Sequence, residues 1–363
     1  MLKRIVFQNF RGFEKLELPD LSQITLLTGK NSAGKSSVLE GVFLLMGYSS
    51  PDTFDKIRAL RGLPSASDIT KLWEPAFHNF DTTKAVEISA EYKGKELKLN
   101  YERDDAFSTL DSNQSIQNTF ITFSSPAASY YTLRYSFTVD ETTQNGHLFL
   151  NPSINPNGTL AMAINTDSNS KTDFKVPNTL FVKSAAANSI DDAEVAGWFG
   201  DLELKGDHQL VVEALRIIDP DIVDIKTIVQ QRYVQLYLRT KESTLPLKLS
   251  GDGMCKLLYL VLAILRSPGS IILIDEIENG FHYSIQESFW KILAESAKRS
   301  NSQIIATTHS YECIEHAVDG ITKAGMLDNF SLYRIDRAGA QNYSTHYSGA
   351  LLKDAVNSLM EVR

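Results

Sequence analysis

The run Gly29-Lys30-Asn31-Ser32-Ala33-Gly34-Lys35-Ser36 constrains this chain more than any other stretch. It has the spacing G-x-x-x-x-G-K-S, and its flanks fit a phosphate-binding P-loop. Residues 24–28 are short, apolar and partly β-branched, as a buried strand would be. Residues 37–46 carry apolar side chains at near-helical spacing, and Gly47 follows as a stop. Gly29 and Gly34 let the loop curl until its N–H groups face an anion at the positive end of the helix. Lys35 then reaches the β- and γ-phosphates of a nucleotide, and the Ser36 hydroxyl ligates Mg²⁺. Lys30, Asn31, Ser32, Ala33 and Ser37 are counted as nucleotide-binding members of the same loop, without a separate argument.

With 363 residues the chain can bury a large core, in two or three units. A hydrophobic content of 43% and a charged content of 22% describe a soluble globular protein. No apolar run approaches the ~20 residues that span a bilayer, so no membrane partner is expected. Met1-Leu2-Lys3-Arg4 leads straight into a strand without a signal-peptide core, which makes a cytoplasmic location the expectation. Cys255 and Cys313 alone give no disulfide framework and no thiolate metal site. Lys+Arg of 36 against Asp+Glu of 44 leaves a net charge of −8, which argues against a mainly basic nucleic-acid binder.

In chain order, residues 3–28 read as strands. Arg11, in Asn9-Phe10-Arg11-Gly12-Phe13, fits either a nucleotide contact or a surface turn. Residues 50–80 read as irregular helix. Alternation then sets in, with Lys93-Gly94-Lys95 turning a hairpin. Residues 104–128 and Asp167-Ser168-Asn169-Ser170 read as loops. Asn145-Gly146 predicts a turn, and residues 159–164 and 179–182 complete a β-rich middle. Helices follow over 193–204 and 209–218, then strands over 223–229 and 233–238. Asp219, Asp221 and Asp224 read as a helix end and strand start rather than a metal cluster.

The second half of a nucleotide site begins at Leu249-Ser250-Gly251-Asp252-Gly253. A serine and glycines ahead of an apolar helix over 257–265 make another anion-receptive helix start. Then Ile271-Ile272-Leu273-Ile274-Asp275-Glu276 runs an apolar strand into two carboxylates. Its end meets the P-loop in a parallel sheet. Asp275 holds Mg²⁺, directly or through water, and Glu276 polarises the attacking water. Residues 303–307 form a further strand, ending near His309, whose neutral imidazole reaches the γ-phosphate or that water.

This ordered set resembles the ABC-type ATPases, which include chromosome-maintenance and recombination ATPases. In that family the serine–glycine signature binds the γ-phosphate held by a second subunit's P-loop. The resemblance therefore implies ATP and Mg²⁺ as ligands and a homodimer, or higher homo-oligomer, through ATP-sandwiched heads. Ser250 and Gly251 match the signature, whereas Asp252 displaces its second glycine to Gly253. Asp275-Glu276-Ile277-Glu278-Asn279-Gly280-Phe281-His282-Tyr283-Ser284, Thr307-Thr308-His309-Ser310-Tyr311-Glu312-Cys313 and the final Leu359-Met360-Glu361-Val362-Arg363 are more closely similar to OLD-type (overcoming lysogenisation defect) ATPases. Such ATPases belong to prokaryotic anti-phage systems such as Gabija, Septu, PARIS and some retrons. The likeness covers residues 1–47 and about 178–363. Full-length OLD proteins append a TOPRIM nuclease, which needs a strand-end glutamate and a later Asp-x-Asp. No such pair follows His309.

The expected fold is α/β: a P-loop NTPase of ABC-ATPase type, with a β-rich and helical insertion between its nucleotide-binding halves. Residues 1–50 and 241–363 form the head, and 51–240 the insertion, whose end merges with the head. The expected function is an ATP-hydrolysing sensor or regulator of a separate effector, a nuclease or toxin from an adjacent gene. The alternative is a DNA-repair or recombination ATPase acting directly on nucleic acid. Long coiled-coil arms would favour that alternative, and residues 50–240 show no heptads.

Overall fold

The computed structural model describes residues 1–50, 52–63, 70–104, 132–154, 160–166, 172–183, 191–230, 233–339 and 341–363. Both predicted polar loops lie outside these residues, apart from Asp104. Strands and helices are numbered in chain order. One sheet of six strands runs β16 (Gln341–Ser348), β15 (Phe330–Ala338), β3 (Ile24–Thr28), β14 (Gln303–Thr307), β13 (Ile271–Asp275) and β9 (Thr179–Lys183). All of its pairings except β15 with β16 are parallel. Every residue of β3, β13 and β14 is buried, which is why these strands read as continuous apolar runs rather than alternating ones. Alternate side chains serve opposite faces. Leu27, Leu273, Ile305 and Tyr333 enter one core, while Leu26, Ile272, Ile304 and Leu332 enter the other.

The first core lies against a second, antiparallel sheet. Its order is β2 (Phe13–Leu18), β1 (Leu2–Phe10), β4 (Val86–Tyr92), β5 (Lys95–Asp104), β6 (Thr132–Val139), β7 (Thr142–Ile154) and β8 (Leu160–Thr166). Helix α1 (Lys35–Met46) is buried in that core through Val38, Leu39, Val42 and Leu45, with Phe7, Phe10 and Phe13. The short helices α2 (Thr53–Leu60) and α3 (Thr70–Trp73) follow it. The second core is built with α4 (Asp192–Lys205), α5 (His208–Leu215), α6 (Asp252–Arg266), α7 (Tyr283–Ser300), α8 (Tyr311–Lys323) and α9 (Gly349–Asn357). A three-stranded sheet of β10 (Ile222–Gln230), β11 (Tyr233–Thr240) and β12 (Thr244–Pro246) precedes α6.

Two local expectations are corrected. Asn145-Gly146 is not a turn. Both residues lie inside β7, paired with Ser136 and Tyr135, and the reversal falls at Asp140, which takes φ 51° and accepts the Glu96 N–H on Oδ1 at 3.0 Å. Residues 179–182 do not belong with the antiparallel strands. They form β9, parallel to β13. Gly47 does end α1, as its place in the sequence predicts, and at an ordinary φ of −104°. Its lack of a side chain serves packing, because a Cβ there would meet Thr53 Oγ1 at 2.7 Å.

Candidate functional site

The P-loop joins β3 to α1, and its shape is fixed by what surrounds it. Gly29 has φ 134°, and a Cβ on it would meet Ile335 O at 2.2 Å. Gly34 has φ 103°, and a Cβ there would meet the Phe13 ring at 2.4 Å. Ser32 between them is also left-handed, at φ 63°. The loop is thus wedged between β15 and the turn into β2 by contacts that admit only glycine. Lys35 is buried, and its amine donates to Gly29 O at 2.8 Å and Lys30 O at 3.1 Å. Burial pushes its pKa down, and the nearby Asp275, Glu278 and Glu276 carboxylates oppose that shift. A cation held by carbonyls in a partly dry site is poised to trade them for phosphate oxygens. Ser37 is half-buried, in the first turn of α1.

Parallel register brings the carboxylates to this loop. Ile274 pairs with Ala306, so Asp275 and Thr307 lie side by side at the ends of β13 and β14. Asp275 Oδ1 accepts two hydroxyl donors, Ser36 Oγ at 2.9 Å and Thr307 Oγ1 at 2.7 Å. Thr307 Oγ1 in turn accepts the Glu276 N–H at 2.8 Å. Ser36 and Asp275 thus present hard oxygen atoms within hydrogen-bond distance of each other, the donor type Mg²⁺ prefers. Glu276 is half-buried, with φ 55°, a conformation that non-glycine residues seldom hold without support. Its Oε2 accepts from Asn279 Nδ2 at 2.8 Å. His309 is exposed, and its backbone N–H donates to Glu278 Oε1 at 2.8 Å. The two strand ends are therefore tied together through Thr307 and Glu278.

Arg11 is no surface turn. Its side chain is mostly buried, with Nε 2.6 Å from Glu40 Oε2 on α1. Arg61, just beyond α2, holds the same carboxylate through Nε at 2.6 Å and Nη2 at 2.9 Å. Burial lowers the Arg11 pKa, while the hydrogen bond to Glu40 raises that of Arg61. Arg61, Glu40, Ser36 and Asp275 share the lining of a cavity of about 130 Å³.

Ser250 and Gly251 stand at the start of α6. The contact described for Ser250 is local, its hydroxyl donating to Leu247 O at 2.5 Å. Gly251 is exposed at φ 94°. Gly253 packs closely on a neighbouring loop: a Cβ there would lie 2.6 Å from Gly280 O. Asp221 and Asp224 pair with Lys241 and Lys226, and Asp219 Oδ1 accepts the Asp221 N–H. These acids are turn and ion-pair groups. Among the described residues no group of three or more His, Cys, Asp or Glu is placed to hold a metal.

Sequence reasoning missed Thr307, Asn279, Glu40, Arg61 and Lys256. A signal existed for two of them. Thr307 falls opposite Asp275 once the two strands are aligned in parallel. Lys256 is a lone charge in an otherwise apolar stretch of helix.

Residues 24–315 match the family model described as "AAA domain, putative AbiEii toxin, Type IV TA system". The chain belongs to this AAA family. It is an ATPase of AAA/ABC type. A protein named ATP/GTP phosphatase from Helicobacter pylori is similar along most of this AAA ATPase, 26% identical over 336 residues and covering 87% of each chain. An OLD nuclease from Thermus scotoductus is 36% identical over 92 residues, which is 25% of this chain and 14% of that protein. Among solved structures, the fold matches an SMC head crystallised with the C-terminal winged-helix domain of ScpA. The TM-score is 0.53 at 14% identity, covering 96% of this chain and 98% of that one. No helix among the described residues is long and apolar enough to cross a membrane.

Proposed function

We propose that this AAA ATPase binds ATP with Mg²⁺, hydrolyses it in a head-to-head pair, and acts as an OLD-type regulator of a separate effector in anti-phage defence. The observation that carries the chemistry is the convergence of Ser36 and Thr307 on Asp275 Oδ1, with Glu276 next in the chain. Lys35 exchanges the Gly29 and Lys30 carbonyls for β- and γ-phosphate oxygens, and Ser37 and the loop N–H groups hold the remaining phosphates. Ser36 and Asp275 would hold Mg²⁺, which would supply charge neutralisation on the phosphates when bound. Glu276 takes a proton from water as the water oxygen attacks the γ-phosphorus. The bond to the β–γ bridging oxygen breaks, and ADP and phosphate leave. His309, at the rim, donates to the γ-phosphate.

The pairing is motivated by the open start of α6. Ser250 and Gly251 form an anion-receptive helix end, and the γ-phosphate on a second copy's Lys35 is the anion that would complete it. The regulatory role is supported by the likeness to the OLD nuclease, confined to 92 residues. Closure of two heads would expose or hide a surface for an effector encoded nearby, a nuclease or toxin.

Phosphate release from ATP, compared among the parent, Lys35→Ala and Glu276→Gln, tests the chemistry. Equal turnover by all three would sink it. For the regulatory role, the protein is incubated with Mg²⁺, ATP and DNA or RNA, with and without the neighbouring gene product. Cleavage or toxicity only with that partner supports the reading. Cleavage by this chain alone overturns it.

A further inference from the structure

Helix α6 carries a lysine where its neighbours are apolar. Lys256 is 2% exposed, and its ammonium donates to three backbone carbonyls: Asn279 O at 2.8 Å, Ile277 O at 3.0 Å and Glu276 O at 3.4 Å. Its charge also lies 5.1 Å from the centre of the Phe281 ring. An ammonium has three N–H donors, and burying one is costly unless they are taken. A leucine here would leave those carbonyls without this donor. One turn earlier on the same face, Gly253 approaches Gly280 O too closely for any side chain. The helix that begins at Ser250-Gly251 is therefore seated at two points on the loop that carries Glu276. That loop is also the one bent into a left-handed φ at Glu276.

We propose that Lys256 is a positioning residue that couples the Ser250–Gly251 end of α6 to the Glu276 carboxylate of the same copy. The inference rests on the head-pair reading above. In such a pair, Ser250 of one copy faces nucleotide on the other, while Glu276 serves the nucleotide on its own P-loop. A latch between Ser250 and Glu276 within one chain thus joins two different ATP sites. Filling one site seats α6, α6 carries the Glu276 loop with it, and the second site becomes competent. Turnover should then rise cooperatively with ATP.

The experiment compares the full chain with Lys256→Met, Lys256→Arg and Gly253→Ala, reading steady-state turnover against ATP concentration, binding of a fluorescent ATP analogue and sedimentation in ATP. The parent should pair and show a Hill coefficient above 1. Lys256→Met should bind the analogue like the parent and pair, yet lose kcat by roughly 10- to 100-fold, the scale for a misplaced catalytic group, with a Hill coefficient falling to 1. Lys256→Arg should recover part of both. Gly253→Ala should move in the same direction as Lys256→Met, by lifting the helix from Gly280, and it serves as the test if Lys256→Met does not fold. A parent that pairs but turns over without cooperativity overturns the coupling alone. So does a Lys256→Met or Gly253→Ala protein as cooperative as the parent, because a merely structural lysine would lower kcat without changing the Hill coefficient. A parent that never pairs in ATP overturns the head-pair reading and the coupling together.

Discussion

Thr307 donates its hydroxyl to Asp275 Oδ1 at 2.7 Å, across 32 residues of sequence, while taking the Glu276 N–H at 2.8 Å. One oxygen thereby fixes both carboxylates that face the P-loop, one directly and the other through its backbone. Thr307→Val keeps the shape and removes the hydroxyl. It should cost about 1–3 kcal/mol of stability, because a buried donor and acceptor lose their partner, and turnover should fall while nucleotide affinity holds. Urea unfolding and initial-rate assays check the two effects. Unchanged turnover would remove Thr307 from the catalytic arrangement.

Lys35→Ala should weaken nucleotide binding by at least about tenfold, since a charge-assisted phosphate contact is lost. Its effect on folding should be small, because the buried cation it removes is held there against desolvation. Titration with a fluorescent ATP analogue measures the first effect and thermal unfolding the second. Parent-like affinity would contradict the assigned role.

Glu276→Gln should bind ATP like the parent and hydrolyse it on the order of 10²-fold more slowly, the scale of a lost general base. With hydrolysis stalled, sedimentation in ATP should show a pair. Adding Ser250→Arg should return it to single copies by blocking closure. A single copy in ATP for Glu276→Gln, with no partner present to complete the site, speaks against the pairing.

Chelation should abolish turnover, and Mg²⁺ should restore it, if Ser36 and Asp275 serve as hard-oxygen ligands. Ser36→Ala should raise the Mg²⁺ concentration needed for half-maximal rate. A Ser36→Ala protein with the parent's Mg²⁺ dependence would exclude that serine as a ligand.

Glu40→Ala should be among the most damaging single changes outside the P-loop. It strips the buried Arg11 of its carboxylate, and breaking a buried ion pair from one side costs about 3–5 kcal/mol. Chemical denaturation reads the loss directly. A change below 1 kcal/mol, on the scale of an exposed pair, would show that Arg11 finds water instead.

What was legible in the sequence was local. The P-loop, the buried strands β3, β13 and β14, and the acid pair at Asp275 are runs of adjacent residues whose spacing carries their meaning. The hairpin at Lys93-Gly94 likewise reads directly. What was hidden depends on residues far apart in sequence. Glu40 looks like an ordinary helical glutamate until Arg11 and Arg61 close on it from 29 residues before and 21 after. Lys256 stands out as a lone charge in an apolar helix, but the carbonyls of residues 276–279 that receive it are 20 or more positions away. Asn145-Gly146 misled because strand pairing on both sides outweighed its turn preference, while Asp140 had a carboxylate to brace the reversal. Arg11 had two open readings, and the packing of α1 against its loop shows a different arrangement, a buried ion pair with Glu40.

The order of strands has a consequence for synthesis. All seven strands of the antiparallel sheet come from residues 2–166, so that sheet can assemble while the rest of the chain is still being made. Strand β3 cannot follow suit. Its two neighbours are β14 and β15, and β15 ends only at Ala338. An apolar strand at residues 24–28 therefore waits until residues 303–338 are made before both its edges are paired, a ready target for chaperones on the ribosome. Asp275, too, follows Ser36 by 239 residues. A chain that stops short of Thr307 thus carries the phosphate-loop sequence without the Asp275–Thr307 arrangement beside it, and a complete nucleotide site reports that translation has passed β14.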